Sequence, residues 1–165
     1  MPVADVTDQV QTIAELAIAM AGFAGVVFVL DRGSESEVRV FRVTNLLALS
    51  FATMLTCVLH LVFATTFGHD LSNKITSGVL FVSIGVLLGF FSLPNYFRLR
   101  IPSRSRAAKL IAMVGPPITF TAPIVAGLNA FNLFPDHTGT ALLLCLAFMM
   151  FSCAMQFIAA IVDRD

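Results

Sequence analysis

The sequence predicts an all-α integral membrane protein that folds as a five-helix bundle in one domain, residues 1–165. The composition supports this class, because 58% of the residues are hydrophobic and 12% are charged, whereas about 25% are charged in an average soluble domain. The apolar residues also collect in five segments, each long enough to cross a hydrocarbon core of about 30 Å as a helix. No gap between them has room for a second domain. The segments are Val10–Leu30, Val43–Thr66, Ile75–Phe97, Ala107–Phe134 and Thr140–Val162.

The basic residues predict the orientation of the bundle. Nine of the ten Lys and Arg residues lie in the first gap, the third gap and the C-terminal tail, and only Lys74 lies elsewhere. Cytoplasmic loops carry the excess of Lys and Arg, so the N-terminus is predicted outside and the C-terminus in the cytoplasm. The basic residues of the third gap either set this orientation alone or also contact anionic lipid headgroups. They are Arg98, Arg100, Arg104, Arg106 and Lys109.

The first segment combines small residues with one acidic residue. The small residues recur at helical spacing, which in a membrane lets another helix approach closely. They are Ala14, Ala17, Ala21, Gly22 and Gly25. Glu15 lies about five residues inside the outer end of the segment, and a charge in a membrane costs about 2.5–3.5 kcal/mol at mid-depth. Glu15 is therefore a candidate functional residue.

The same segment carries a resemblance to a known family. From Ala14 to Gly25 the chain reads A-E-x-x-x-x-x-A-G-F-A-G, and this run resembles the opening helix of a family of small uncharacterised bacterial inner-membrane proteins. The resemblance covers one helix in five. It implies a multi-pass protein of the bacterial inner membrane, and that Glu15 and the Ala-Gly-Phe-Ala-Gly run matter together. It implies no activity.

The second segment contains His60, about six residues from its outer end. The predicted orientation places His60 at a depth similar to that of Glu15, and Asn129 and Asn132 of the fourth segment fall in the same layer. Two interpretations stay open. In the first, Glu15 reaches interfacial water and His60 is a neutral, hydrogen-bonded interior residue. In the second, these polar residues form a proton- or ion-binding group that faces the outside.

The third segment has a second face of small residues, which includes a G-x-x-x-G motif. Its members are Gly78, Gly85, Gly89 and Ser92. Such a face is typical of close helix–helix contact in membranes. A contact within the chain is favoured, and a contact with a second chain is the alternative. A homo-oligomer or a subunit of a membrane complex is therefore predicted.

The fourth segment is predicted to be kinked or broken near Pro116, because proline removes a backbone donor and clashes with the preceding turn. Pro117 and Pro123 lie in the same segment. A plain proline kink is favoured, and a discontinuous helix that lines a cavity is the alternative. Thr119 and Thr121 are close enough to donate hydrogen bonds to the backbone carbonyls that the prolines leave without a donor.

Two His–Asp pairs lie in the predicted outside loops. His69 and Asp70 follow the second segment, and Asp136 and His137 precede the fifth. Imidazole and carboxylate groups bind zinc or copper, so the pairs are weak candidates for a metal site. A solvated rim is the favoured interpretation.

The remaining chemistry points away from the known enzyme classes. The spans hold no interior lysine for retinal and only one histidine, so neither retinal nor bis-histidine haem is expected, and no nucleotide-binding motif occurs. The formal net charge is zero, which gives no argument for nucleic acid binding. The prediction is a non-enzymatic membrane subunit or accessory protein in a lipid bilayer. The alternatives are a homo-oligomeric ion or proton channel or transporter that uses Glu15 and His60, and a metal-binding or redox membrane protein.

Overall fold

The computed structural model describes residues 3–30, 37–95 and 106–162, and within these ranges the chain is helical except at the turns between helices. The helices are α1 (Val3–Leu30), α2 (Glu37–Phe67), α3 (His69–Val86, continued by a π-helical turn Leu87–Ser92), α4 (Arg106–Ala130) and α5 (Thr138–Val162). No strand occurs in the described ranges. The predicted all-α class is confirmed.

Four helices are long and apolar enough to cross a membrane. The stretches concerned are Val6–Val26, Val40–Phe67, His69–Asn95 and Thr138–Ala159. α4 is 25 residues long, but most side chains of its first half lie outside the described residues, so a fifth span stays a prediction. The orientation also stays a prediction.

α5 is the central helix, since it packs against each of the other four. α2 contacts α1 and α3 as well, and α4 packs on α3. One apolar core has residues from all five helices and surrounds Leu49, Ile84 and Met149. A second core lies where α1 meets α2 and α5, around Val10 and Leu146.

The outer surface of the bundle is rich in large apolar side chains. Phe90 is 83% exposed, Phe131 76% and Phe23 65%. An extended apolar surface of this kind marks contact with a membrane or with another protein. It agrees with the four helices that are long enough to span a bilayer.

Gly68 alone connects α2 to α3. Its φ is +80° and its ψ is 164°, a combination that essentially only glycine adopts. The sequence-based gap of Phe67–Lys74 is therefore much too long. The residues after Gly68 already form the first turns of α3, and this places the side chains of Ser72 and Asn73 inside the bundle.

The predicted break in α4 does not occur, because the helix continues through Pro116, Pro117 and Pro123. Thr121 Oγ1 donates to the Pro117 carbonyl at 2.9 Å, which is not one of the carbonyls that the prolines leave without a donor, and Thr119 Oγ1 donates to Ser152 Oγ at 2.9 Å. A kink without a break stays a prediction.

The irregular backbone lies in α3 instead. Its π-helical turn precedes Pro94, which has no N–H to donate to the Phe90 carbonyl and whose ring would clash there. The wider turn resolves this conflict, and the Leu93 N–H bonds five residues back to the Leu88 carbonyl. Asn95 Nδ2 also donates to the Phe91 carbonyl at 2.8 Å.

α4 ends in a Schellman motif. The Leu133 N–H donates to the Leu128 carbonyl, and the Asn132 N–H donates to the Asn129 carbonyl, both at 3.0 Å. Asn132 has a φ of +61°, and asparagine is one of the few residues that adopt this left-handed conformation readily. Asn132 is exposed, and its evident role is to end the helix.

Candidate functional site

Glu15 and His60 occupy different environments. His60 is completely buried on α2, whereas Glu15 is exposed on α1, where its Oε1 accepts a hydrogen bond from Gln11 Nε2 at 3.2 Å. No hydrogen bond or ion pair joins these two described side chains. The buried histidine and the surface carboxylate are therefore separate features of the molecule.

His60 belongs to a group of buried polar side chains at the end of the bundle where α2 passes into α3 and α4 into α5. We call this group the polar cluster. None of its members is more than 7% exposed. The members are His60, Ser72, Asn73, Thr76, Ser77, Asn129 and Thr138.

α3 supplies four members of the cluster from its first turns. Ser72, Asn73, Thr76 and Ser77 follow one another at steps of one, three and one, which puts them on one helical face. This polar face points into the bundle, while Leu71 beside it is 48% exposed. The sequence-based prediction missed this polar face because it assigned Ser72 and Asn73 to a loop. The helical spacing of the four residues was the signal that could have identified the face.

Two contacts of Ser72 assign the tautomer of His60. Ser72 Oγ lies 3.1 Å from the His60 carbonyl and 3.2 Å from His60 Nδ1. The carbonyl only accepts, so the serine spends its single proton there and must accept the second hydrogen bond from Nδ1–H. In neutral His60 the Nε2 atom is then a bare acceptor.

A chain of hydrogen bonds fixes the orientation of the Asn73 amide. Lys74 Nζ donates to Asp70 Oδ2 at 2.6 Å, and Thr138 Oγ1 donates to Asp70 Oδ1 at 3.0 Å. Since the hydroxyl proton of Thr138 is used on the carboxylate, its oxygen can only accept from Asn73 Nδ2, at 3.2 Å. The Asn73 amide nitrogen is thereby engaged, and its Oδ1 is left without a partner.

The Asn129 amide is oriented in the same way. Its Nδ2 donates to the Thr138 carbonyl at 3.0 Å and to Ser77 Oγ at 2.8 Å. A carbonyl cannot donate, so the amide nitrogen must be the atom on that side. Asn129 Oδ1 is also buried without a partner.

The polar cluster therefore presents an excess of hydrogen-bond acceptors. Its unpartnered buried atoms are His60 Nε2, Asn73 Oδ1, Asn129 Oδ1 and Thr76 Oγ1. Three of these accept only, and the fourth is a hydroxyl. Leaving such an atom buried and unpaired costs about 1–3 kcal/mol, so these four atoms lower the stability of this end of the bundle.

A pocket of about 260 Å³ opens beside the polar cluster. Both predicted His–Asp pairs line it together, because the α2–α3 and α4–α5 turns meet at this end. The described lining residues are Val6, His69, Asp70, Asn73, Pro135, Asp136, His137, Thr138, Gly139 and Thr140. Among the described residues, no three His, Cys, Asp or Glu side chains are grouped to hold a metal ion.

The predicted helix-contact residues divide into inner and outer sets. On α1, Ala14 and Ala17 are buried, while Gly22 is exposed. Ala21 and Gly25 are partly buried.

On α3, Gly78 and Ser92 face other helices. A Cβ added at Gly78 would lie 3.7 Å from Ala130 Cβ, and Ser92 Oγ donates to Asn45 Oδ1 at 2.7 Å. Gly85 and Gly89 are exposed, with no heavy atom within 4 Å of an added Cβ. Within the described part of the chain, the G-x-x-x-G motif therefore lies on the outside of the bundle.

The basic residues of the third gap lie outside the described structure. Arg98, Arg100 and Arg104 fall in the range 96–105, and only the backbone of Arg106 and Lys109 is described, in α4. Their predicted contact with lipid headgroups stays a prediction.

These features define a class: an all-helical protein with four helices long and apolar enough to cross a membrane, and with a polar cluster and a pocket at one end of the bundle. Comparison with protein-family models, with curated proteins and with solved structures finds no match to the chain.

Proposed function

We propose that the chain is a multi-pass protein of the bacterial inner membrane, with five spans, an outside N-terminus and a cytoplasmic C-terminus, and that it acts as a non-enzymatic subunit that assembles with a second copy of itself. The apolar outer surface and the four long apolar helices support the membrane part. The separation of Glu15 from His60 gives no support to a shared proton-handling role for these two residues.

The outward G-x-x-x-G motif of α3 carries the assembly part. Gly85 and Gly89 are open to the outside, and they lie among exposed apolar side chains: Val82 is 60% exposed, Val86 53% and Phe90 83%. In a bilayer, apolar surface gains little by leaving lipid, whereas two glycine faces allow close backbone approach. A surface of this composition suits an identical surface of a second copy.

Replacing Gly85 and Gly89 together by Leu tests the assembly. The added side chains keep two backbones apart, so we expect the wild-type oligomer to dissociate to monomers. Native mass spectrometry of the full chain in lipid nanodiscs measures the stoichiometry. Gly22→Leu is the matched control, because it enlarges an equally open glycine on α1 and should leave the oligomer unchanged. A monomeric wild type, or a double variant with unchanged stoichiometry, would refute self-assembly through this face.

A further inference from the structure

We propose that the outward face of α1 binds a membrane-spanning helix of a different protein, and that this partner helix presents a Lys or Arg side chain to Glu15. The contact gives the proposed subunit a second kind of partner, and it rests on the membrane part of the proposed function. It does not depend on self-assembly, since Gly85 and Gly89 lie on α3. Three properties of α1 support it: the depth of Glu15, its exposure and the residues that share its face.

Glu15 lies well inside the stretch of α1 that is long and apolar enough to cross a membrane. The stretch is Val6–Val26, and Glu15 is nine residues from its first residue and eleven from its last. A span of about 20 residues that is shifted to end at Leu30, where α1 ends, still leaves Glu15 about 6 Å inside. An ionised carboxylate at such a depth is expensive unless it faces water or is paired.

Glu15 points away from the bundle and has no positive partner among the described residues. It is exposed, and its hydrogen bond comes from Gln11 Nε2, one turn away on the same helix. The chain has no Lys or Arg before Arg32. Arg42 is buried against α5, and Lys74 forms an ion pair within α3. The other Lys and Arg residues lie in the first turns of α2 and α4 or outside the described ranges.

The face around Glu15 suits close contact with another helix. Ala19 and Gly22 follow Glu15 at steps of four and three, so the three residues share one helical face, and all three are exposed. No heavy atom lies within 4 Å of a Cβ added at Gly22. Small residues at this spacing let a second backbone approach closely in a membrane. Ile18 and Phe23, 55% and 65% exposed, add apolar contact area beside them.

The charge of this face favours a different protein over a second copy. A second copy would present the same face, whose charged residues are Asp8 and Glu15 and which has no basic residue. A symmetric contact would bring like charges together at one depth, which is repulsive. A Lys or Arg on a different helix neutralises Glu15 and donates to the lone pairs of the carboxylate that Gln11 leaves free.

Model transmembrane peptides test the contact with the full-length protein in lipid vesicles. Each peptide is a Leu–Ala helix of about 20 residues, with Lys or Leu at its centre, or with Lys near one end. Fluorescence energy transfer between dyes on the peptide and on the C-terminus of the protein measures their association. The central Lys peptide should associate at least about tenfold more tightly than the other two, because only it presents a cation at the depth of Glu15. Equal association of the central Lys and Leu peptides overturns the proposal.

Two variants locate the contact on α1. Glu15→Gln keeps the size of the side chain and removes its charge, so association of the central Lys peptide should fall to the level of the Leu peptide. Gly22→Leu blocks the close approach and should weaken association as well. Glu37→Gln is the matched control, because it neutralises an exposed acid in the first turn of α2 and should leave association unchanged. Circular dichroism confirms that each variant is helical. Wild-type association in Glu15→Gln refutes the contact.

Native mass spectrometry of the protein without peptide distinguishes a second copy as the occupant of this face. Glu15→Gln should keep the stoichiometry of the wild type, and a changed stoichiometry would assign the face to self-assembly instead. The variant with Leu at both Gly85 and Gly89 should associate with the central Lys peptide as the wild type does. Loss of association in that variant would place the peptide on α3 and contradict the proposal.

Alkaline carbonate extraction of cell membranes separates a failure of this contact from a failure of the proposed membrane location. A chain that carbonate removes from the membrane contradicts the proposed location, and the contact on α1 fails with it. A chain that stays in the membrane but does not distinguish the central Lys peptide from the Leu peptide contradicts the contact alone.

Discussion

Asn129 links two helices of the polar cluster. It is completely buried, and its amide nitrogen bonds two elements at once, the Ser77 hydroxyl of α3 and the Thr138 carbonyl that begins α5. Asparagine suits this position because it offers two N–H donors from one nitrogen without a charge. An interior residue of this kind joins helices that apolar contacts alone would leave free to slide.

Asn129→Asp is predicted to destabilise the protein by about 3 kcal/mol or more. The carboxylate cannot donate to the Thr138 carbonyl and would be buried as a charge or forced to take up a proton. Asn132→Asp is the matched control, since Asn132 is exposed and aspartate tolerates its left-handed backbone. Denaturant unfolding in detergent, followed by circular dichroism, measures both. An equal loss at the two positions would show that the buried network contributes nothing.

At the scale of elements, the connection between α2 and α3 requires a glycine at position 68. One residue, Gly68, reverses the chain, and its backbone conformation excludes side chains by local sterics. Ser72 Oγ then closes the hairpin by donating to the His60 carbonyl on the opposite helix. The turn and the polar cluster are therefore parts of one local structure.

Gly68→Ala is predicted to destabilise the protein by about 1–3 kcal/mol, because alanine at this φ and ψ is strained. Gly22→Ala should act in the opposite direction, by up to about 1 kcal/mol, since Gly22 is helical with open space around it. Unfolding curves of the two variants under identical conditions measure the difference. Two changes of the same sign would mean that the tight turn is not strained by a Cβ.

Sequence reasoning located the helices well, but it failed at the start of α3 and at the position of the irregular backbone, because both depend on contacts with other helices or turns. The fifth segment was predicted to begin at Thr140, and α5 begins at Thr138. Ser72 and Asn73 were assigned to a loop because hydropathy cannot separate a polar loop from a polar helix face that other helices cover. The prolines of the fourth segment drew attention to α4, yet the π-helical turn lies in α3, just before Pro94.

The candidate site was predictable only in part. His60 and Asn129 were singled out because polar groups are expensive in a membrane, and both belong to the polar cluster. The two His–Asp pairs line one pocket, as their shared location in the turns allowed. Which direction Gly85 and Gly89 face could not be read from spacing, because the pattern identifies a small-residue face without identifying its partner.

For the whole molecule, the distribution of basic residues and the number of spans make one joint prediction. With five spans the two termini lie on opposite sides, whereas four spans would put them on the same side. Reporter fusions that are active on only one side of the membrane, placed at each terminus of the full chain, should show the N-terminus outside and the C-terminus in the cytoplasm. Termini on the same side would show that α4 does not cross.

The position of Thr138 in the chain sets the order in which the polar cluster is completed during synthesis. α2 and α3 emerge with one residue between them, so His60 and Ser72, twelve positions apart, meet as soon as this hairpin forms. Asn73 and Asn129 both bond Thr138, which the ribosome adds only after α4 is complete. A nascent chain that stops after α4 therefore lacks the Thr138 hydrogen bonds of both amides, and only the synthesis of α5 supplies them.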